Sequence, residues 1–187
     1  MDRETAWEKV NEWVKSPKLL RHCLIVEQCM RKACARYGGP QDNADEWGTA
    51  GLLHDADFEM FPDEHPKRVI AWLEERGEKA LAHAIACHDT RLNMSYDSQM
   101  DKAILAVDEL SGLITACCAL RPDGIMTLEP KSVMKKMKEP KFAAGVNRDD
   151  INKGVGLLGI DIESHIQFMI DAIRGRAAEF GLTGKTV

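Results

Sequence analysis

Histidine and aspartate side chains recur along this chain with an order and spacing that could bind a metal ion. The residues concerned are His22, the adjacent pair His54 and Asp55, His65, His88 and Asp108. Imidazole nitrogens and carboxylate oxygens are common ligands of divalent transition metals in proteins. The stretch "GLLHDADFEMFPDEHP" at 51–66 contains three of these residues, with His65 eleven positions after His54. This stretch alone could supply half of a metal site.

A metal site in a helical protein requires these side chains to point inward from several helices. At about 100° per residue, His22 lies within about 40° of Val26 and Cys29 and so shares their apolar face. His88 shares a face with Ile85, whereas His83 is rotated by about 140° from His88. We therefore expect His22 and His88, rather than His83, to face the interior.

Asp108 lies on the apolar face of the segment "AILAVDELSGLITACCAL". A buried carboxylate is costly unless it is paired or binds a cation. One inward histidine or aspartate is more often a hydrogen-bonded core residue, but four or five helices that each offer one favour a shared ion. The adjacent Glu109 turns away by about 100° and could be solvated or bond to the site from outside.

The elements that must position these residues are all helical. The spacing of apolar residues predicts an all-α single-domain bundle with helices at approximately 4–15, 18–37, 43–56, 65–76, 78–90, 98–119, 130–138, 147–157 and 161–180. The whole chain, 1–187, is predicted to form one domain. Its metal-binding core covers about 18–119, and a basic lid with a short C-terminal helical extension covers about 120–181.

Composition restricts the classes of protein to which the chain can belong. A net charge of −5 argues against general nucleic-acid binding. The N-terminus has no signal-peptide pattern and no apolar run reaches about 18 residues, so we expect a cytoplasmic protein without a membrane span. The six cysteines are predicted to be reduced core residues. A homodimer is left open.

Basic residues gather between 120 and 150, where the helical pattern weakens. The simpler interpretation is a solvated amphipathic helix; the alternative is a lid that faces a phosphate group. For the second interpretation the candidate substrate-binding residues are Arg121, Lys131, Lys135 and Arg148.

Two remaining features are interpreted as structural. The segment "GVGLLG" at 154–159 matches G-x-G-x-x-G, but a helix-like segment precedes it where a dinucleotide-binding fold requires a strand. We interpret its glycines as a helix C-terminus and turn. His165 has no partner in the series above and is also interpreted as structural.

Taken in order, the residues resemble the H…HD…H…H…D signature of the HD-domain superfamily of metal-dependent phosphohydrolases. The text around them, "RHCLIVEQCM", "GLLHDADFE", "DEHP" and "VDELSGLI", is similar to small single-domain members, and the resemblance covers most of 19–173. One departure is that no Gly and Lys closely follow the doublet, which puts a lysine-assisted mechanism in doubt. Asp57 and Glu59 follow instead, and we interpret them as exposed loop acids, with indirect support of the metal as the alternative.

The resemblance implies roles for the six residues. It places one ion on His22, His54, Asp55 and Asp108, and a second ion, bridged by Asp55, on His65 and His88. The cofactor expected is one or two divalent transition-metal ions, namely Fe, Mn, Ni, Co or Zn. Asp55, His65 and Asp108 are the expected catalytic residues, and Lys67 and Arg68 at the mouth of the site could contact phosphate.

The resemblance also implies an activity. We expect hydrolysis of a small anionic phosphate ester, a nucleotide or dinucleotide, by metal-activated water. Two alternatives stay open on the same scaffold: a mixed-valence di-iron oxygenase and a non-catalytic nucleotide sensor. A third interpretation, a helical scaffold without metal, leaves His22 and Asp108 unexplained.

Overall fold

The computed structural model describes residues 1–184, and the regular structure of these residues is entirely helical. The helices are α1 (Arg3–Trp13), α2 (Pro17–Tyr37), α3 (Ala44–Leu53), α4 (Lys67–Glu74), α5 (Lys79–His88), α6 (Gln99–Ala119), α7 (Pro130–Met137), α8 (Arg148–Leu158) and α9 (Ile162–Arg174). A short 3-10 turn at Thr90–Leu92 follows α5. The all-α fold class predicted from the sequence is confirmed.

The two longest helices, α2 and α6, begin at strong capping sequences. The Ser16 side chain accepts a hydrogen bond from the Leu19 N–H, and Pro17 occupies the first helical position. At α6, Ser98 and Asp101 each accept the other's backbone N–H through their side chains, which is a capping box. Each helix has 21 residues, a length of about 30 Å. They carry His22 and Asp108 into the centre of the fold.

Glycines allow the neighbouring helices to approach α2 and α6 closely. A Cβ atom at Gly51 of α3 would lie 2.8 Å from the Val26 carbonyl oxygen on α2. A Cβ atom at Gly154 of α8 would lie 2.5 Å from the Ala106 nitrogen on α6. Both distances are shorter than real Cβ contacts, so these two helix pairs depend on glycine. The Gly51 contact brings the end of α3, and with it His54, against α2.

Two helices end at, or directly before, a histidine of the predicted site. The α3 helix ends at Leu53, earlier than predicted, and the His54 Nδ1 bonds to the Gly51 carbonyl at 2.8 Å. The α5 helix ends at His88, whose Nδ1 lies 2.5 Å from the Ile85 carbonyl. The last carbonyls of a helix have no partner within the helix, so each ring satisfies one of them. The helix ends thereby fix the directions of both rings.

Buried side chains from each of the helices α1 to α9 form one hydrophobic core. The α9 helix ends at Arg174 rather than near 180, and the chain continues in turns that bury Phe180 and Leu182. His165 is buried between α9 and its neighbours, where it contacts the Tyr37 hydroxyl and the Ala106 carbonyl. Within residues 1–184, no helix combines the length and the apolar character that crossing a bilayer requires.

The glycine-rich segment 154–159 lies in and after α8. Gly154 and Gly156 are inside the helix, and Gly159 ends it with a φ of 66°. Positive φ is the conformation in which glycine replaces other residues at helix ends. The interpretation of the segment as a helix C-terminus and turn is correct.

Candidate metal centre

The six predicted side chains converge in two groups at the ends of α3 and α5. In the first group, the His22 and His54 Nε2 atoms are 3.1 Å apart. Asp108 Oδ1 lies 3.0 Å from the His22 Nε2 and 3.1 Å from the His54 Nε2. Three ligand atoms at these separations can surround one ion.

The second group consists of Asp55, His65 and His88. The two histidine Nε2 atoms are 3.3 Å apart. Asp55 Oδ1 lies 3.4 Å from the His65 Nε2 and 3.7 Å from the His88 Nε2. This group could hold a second ion.

Asp55 joins the two groups through its two carboxylate oxygens. Its Oδ1 faces His65 and His88, whereas its Oδ2 lies 3.5 Å from the Nε2 atoms of both His22 and His54. A carboxylate placed in this way can bridge two cations, one on each oxygen. The arrangement places Asp55 at the centre of the site.

The Nδ1 atoms of the histidine rings face away from the centre of the site, and their hydrogen bonds determine the direction in which the Nε2 atoms point. His54 and His88 donate Nδ1–H to the carbonyls of Gly51 and Ile85. With the proton on Nδ1, the Nε2 lone pair is free for a metal, and the hydrogen bond holds the ring in place. The His22 Nδ1 lies 3.4 Å from the Ser111 hydroxyl, a longer contact.

Asp57 orients His65. Its Oδ1 lies 2.7 Å from the His65 Nδ1, and its Oδ2 accepts the Val69 backbone N–H at 2.9 Å. Asp57 is fully buried, so its interpretation as an exposed loop acid was wrong. Glu59 is exposed, and its carboxylate accepts the backbone N–H groups of Lys15 and Ser16.

The electrostatics of the first group favour positive charge between the side chains. Burial opposes the charged form of Asp108, but His54 and His22 outweigh it and hold the Asp108 pKa well below its usual range. Burial also opposes protonation of His54, yet Asp55 and Asp108 raise its pKa to about 9. A site that favours a proton in this position also favours a divalent cation, which neutralises the carboxylates and accepts the imidazole lone pairs. The donor set therefore fits a metal centre.

Glu109 lies beside the first group, in contact with the start of α8. Its Oε2 accepts the Asn147 backbone N–H at 3.0 Å. Burial, with a smaller contribution from the Asp108 charge, raises the Glu109 pKa to about 7.

Two cavities meet at the centre. The smaller, about 370 Å³, is lined by the site residues His22, Asp55, His65, His88 and Asp108 together with Phe58, Asp89, Thr90, Arg91, Glu109, Gly112, Gly145, Asn147 and Asp150. The larger, about 780 Å³, extends along α2 and α6. The two share His22, Phe58, Gly112 and Gly145, so they lie side by side.

The basic residues predicted to bind substrate line neither cavity. They are Lys67, Arg68, Arg121, Lys131, Lys135 and Arg148. The Arg68 guanidinium pairs with Glu64, and that of Arg121 donates to Thr127. Their positions do not support the assignment to substrate binding, which stays a prediction from the sequence.

Arg148 has structural partners within the preceding segment. Its guanidinium donates to the backbone carbonyls of Phe142, Ala143 and Val146. Residues 143–146 line the larger cavity, so the segment does cover the site, but with small residues rather than lysines. The basic residues that do reach the cavities, Lys18, Arg21 and Arg91, were missed. Of these, Lys18 had a signal, because it precedes His22 by one helical turn.

A third group, His83, Cys87 and Asp101, also brings metal-ligand types together. Each has a protein partner that accounts for it. His83 lies 3.3 Å from the Asp101 carboxylate, the Cys87 thiol donates to the Ser95 carbonyl, and Asp101 caps α6. All six cysteines are free and buried, as predicted.

Residues 19–121 match the model of the HD domain family. Because this match covers more than half of the chain and contains all six residues of the two groups, the chain belongs to the HD-domain superfamily. Neither the curated proteins nor the solved structures include a match.

Proposed function

We propose that this protein is a metal-dependent phosphohydrolase that cleaves a small phosphate ester. The observation that carries the proposal is the position of Asp55, whose two oxygens face two separate groups of histidine and aspartate ligands. The HD-domain superfamily, to which the chain belongs, supports metal-dependent hydrolysis in general.

The proposed ligands follow the two groups. His22, His54 and Asp108 with Asp55 Oδ2 would hold one divalent transition-metal ion, and His65 and His88 with Asp55 Oδ1 a second. Four imidazoles favour Fe, Mn, Ni, Co or Zn over magnesium, which prefers oxygen ligands. Bound ions would make a water molecule acidic enough to attack at neutral pH and would stabilise charge on the phosphoryl oxygens.

The surrounding residues make the activity dependent on metal. Carboxylates of Asp55, Asp89, Asp108, Glu109 and Asp150 line the smaller cavity. The one arginine of that lining, Arg91, is paired with Asp89 through two hydrogen bonds. Without added positive charge, this cavity would repel a phosphate dianion. Divalent cations reverse the sign of the local field, so phosphate binding should require them.

The chain's own groups orient the reaction. Asp57 and the carbonyls of Gly51 and Ile85 hold three of the imidazole rings, which limits their movement during the reaction. In the proposed hydrolysis, the oxygen of water adds to phosphorus and the bond from phosphorus to the ester oxygen breaks. The alcohol leaves with a proton from the water. A nucleotide or dinucleotide, the substrate predicted from the sequence, belongs to this class.

Phosphate release by protein loaded with Mn²⁺ or Fe²⁺ tests the proposal. We expect Asp55→Asn to lower the rate at least about 100-fold, because it removes a charged ligand shared by both groups. Asp63→Asn, an exposed acid in the same loop, is the control and should keep the wild-type rate. Unchanged phosphate release after His54→Ala and Asp55→Ala would refute the proposal. Oxygen consumption without phosphate release by the iron-loaded protein would indicate the oxygenase alternative.

A further inference from the structure

The larger cavity indicates which phosphate esters the site accepts. Resting on the phosphohydrolase function proposed above, we propose that the substrate's organic group is apolar and lies in this cavity, with its phosphate near Lys18, Arg21 and the ligand groups. We call the cavity the apolar cleft. Its apolar walls include Leu19, Ile25, Phe58, Ala116, Ala119 and Val146.

The cleft lies directly beside the ligand groups. Gly112 and Phe58 line both cavities, and His22 contributes to both. An organic group in the cleft could therefore be joined to a phosphate at the ligand groups by a single ester bond. The volume of about 780 Å³ lies within the range of about 300–1,000 Å³ typical of small-molecule sites.

The uncharged and acidic polar side chains of the cleft already have partners. The Thr115 hydroxyl donates to the Ser111 carbonyl, and the Ser16 hydroxyl accepts the Leu19 N–H. The Glu59 carboxylate accepts two backbone N–H groups. Each side chain therefore keeps a hydrogen bond within the chain when an apolar group fills the cleft, and none depends on the hydrogen-bonding edge of a nucleobase for its partner. A site selects strongly for such an edge when its own polar groups would be left without a hydrogen bond in the absence of that edge. Because the polar side chains named here have partners within the chain, the cleft favours an apolar group.

Lys18 and Arg21 are the cations of the cleft. Across residues 1–184, neither forms an ion pair or donates a side-chain hydrogen bond, in contrast to the paired Arg91. Lys18 is four residues before His22, so both side chains leave the same face of α2 one turn apart. In a protein of net charge −5, two uncommitted cations beside an acidic centre are suited to a phosphate dianion.

Phe58 and α6 shape the cleft for a bulky group. The Phe58 side chain is 50% exposed, and its ring stands edge-on to His65 with centroids 5.2 Å apart. An exposed aromatic ring at this junction offers a face to an organic group beside the ligand groups. Gly112, Ala116 and Ala119 lie on one side of α6 at helical spacing. Because these residues are small, they leave the cleft open.

The test compares esters that differ in the organic group. For metal-loaded protein, we expect kcat/KM for 2-(1-naphthyl)ethyl phosphate, an alkyl ester like the other two, to exceed that for glycerol phosphate and for AMP by at least about 10-fold, from the apolar area buried. Ala116→Phe should lower kcat/KM for 2-(1-naphthyl)ethyl phosphate about 10-fold and lower that for glycerol phosphate much less. Ala119→Leu, at an exposed position, is a second filling variant that does not disturb the core.

The cations are tested in the same assay. Replacing Lys18 and Arg21 with glutamine should raise KM for every ester, because both residues are proposed to contact the phosphate common to all of them. Lys32→Gln, an exposed lysine on α2 away from the cleft, is the matched control and should leave KM unchanged. An unchanged KM in the Lys18 and Arg21 variants would overturn their role.

Binding separates this inference from the proposed function. The non-hydrolysable 1-naphthylmethyl phosphonate should bind metal-loaded protein in calorimetry, and more weakly after Ala116→Phe. If it binds in this way but no ester is hydrolysed, the proposed function fails and the cleft assignment stands. If glycerol phosphate or AMP is hydrolysed as efficiently as 2-(1-naphthyl)ethyl phosphate, and both filling variants leave all rates unchanged, the cleft assignment is overturned and the function stands.

Discussion

The histidines around Asp55 present Nε2 inward because their Nδ1 atoms are bound elsewhere. Two of these partners are backbone carbonyls at helix ends, and the third is the buried carboxylate of Asp57. Asp57 is itself held by the Val69 N–H, which belongs to α4. Each ligand direction thus depends on a residue one contact further out, and these outer contacts give the first predictions.

Asp57→Ala should weaken binding of the second ion about 10–100-fold, since His65 loses the partner that orients its ring. The measurement is the metal content per chain after dialysis at a series of free metal concentrations. Asp63→Asn should behave as wild type. If Asp57→Ala binds each of the two ions with the same affinity as the wild type, Asp57 does not position His65.

His165 should make the folded state sensitive to acid. Burial lowers its pKa to about 4, while the Ala106 carbonyl, which accepts its Nε2–H, offsets part of this effect. The folded pKa lies below the unfolded value of about 6.5, so the unfolded chain binds more protons between these values. The contribution of His165 is therefore complete above about pH 6.5 and is lost as the pH falls toward 4.

The measurement is the free energy of unfolding of wild type and His165→Gln between pH 4 and pH 7. The difference between the two proteins should shrink by about 2–3 kcal/mol as the pH falls through this window. The subtraction cancels the titration of the metal-site histidines, which both proteins contain. A difference that stays constant with pH would contradict the prediction.

At the scale of helices, close approach at glycine determines where the site residues lie. Gly51 lets α3 approach α2, and Gly154 lets α8 approach α6 next to the turn that carries Asp108. The N-cap residue of α8 is Asn147, whose backbone N–H donates to the Glu109 carboxylate of α6. Helices α2, α3, α6 and α8 therefore position most of the first ligand group.

The glycines of α8 offer an internal comparison. Gly154→Ala should lower the free energy of unfolding by about 1–3 kcal/mol, because its Cβ would overlap the backbone of α6. Gly156→Ala, in the same helix, meets nothing within 4 Å and should raise it by about 0.5–1 kcal/mol. Thermal or urea unfolding measures both. Equal effects of the two substitutions would show that close packing at Gly154 is unimportant.

At the scale of the whole molecule, the sequence predicted the features that local residue patterns determine. It did not predict the contacts that form only when segments pack against one another. Helical spacing revealed the bundle, and the inward positions of His22, His88 and Asp108 were expected because residues on one helix face share an environment. The bonds of Arg148 to carbonyls within 142–146 could not be predicted, because these carbonyls become its neighbours only when that segment folds back. The burial of Asp57 could not be predicted either, since the residue lies in a turn without helical periodicity and is covered by α4.

The central claim is that Asp55 bridges two metal ions, and counting the transition metal bound per chain tests it most directly. Protein purified without chelator and loaded with Mn²⁺ or Fe²⁺ should contain two ions per chain in wild type. His65→Ala should contain one, because the ligands of the first group are untouched. A wild-type protein that binds no transition metal, or that binds the same single ion as His65→Ala, would contradict the claim.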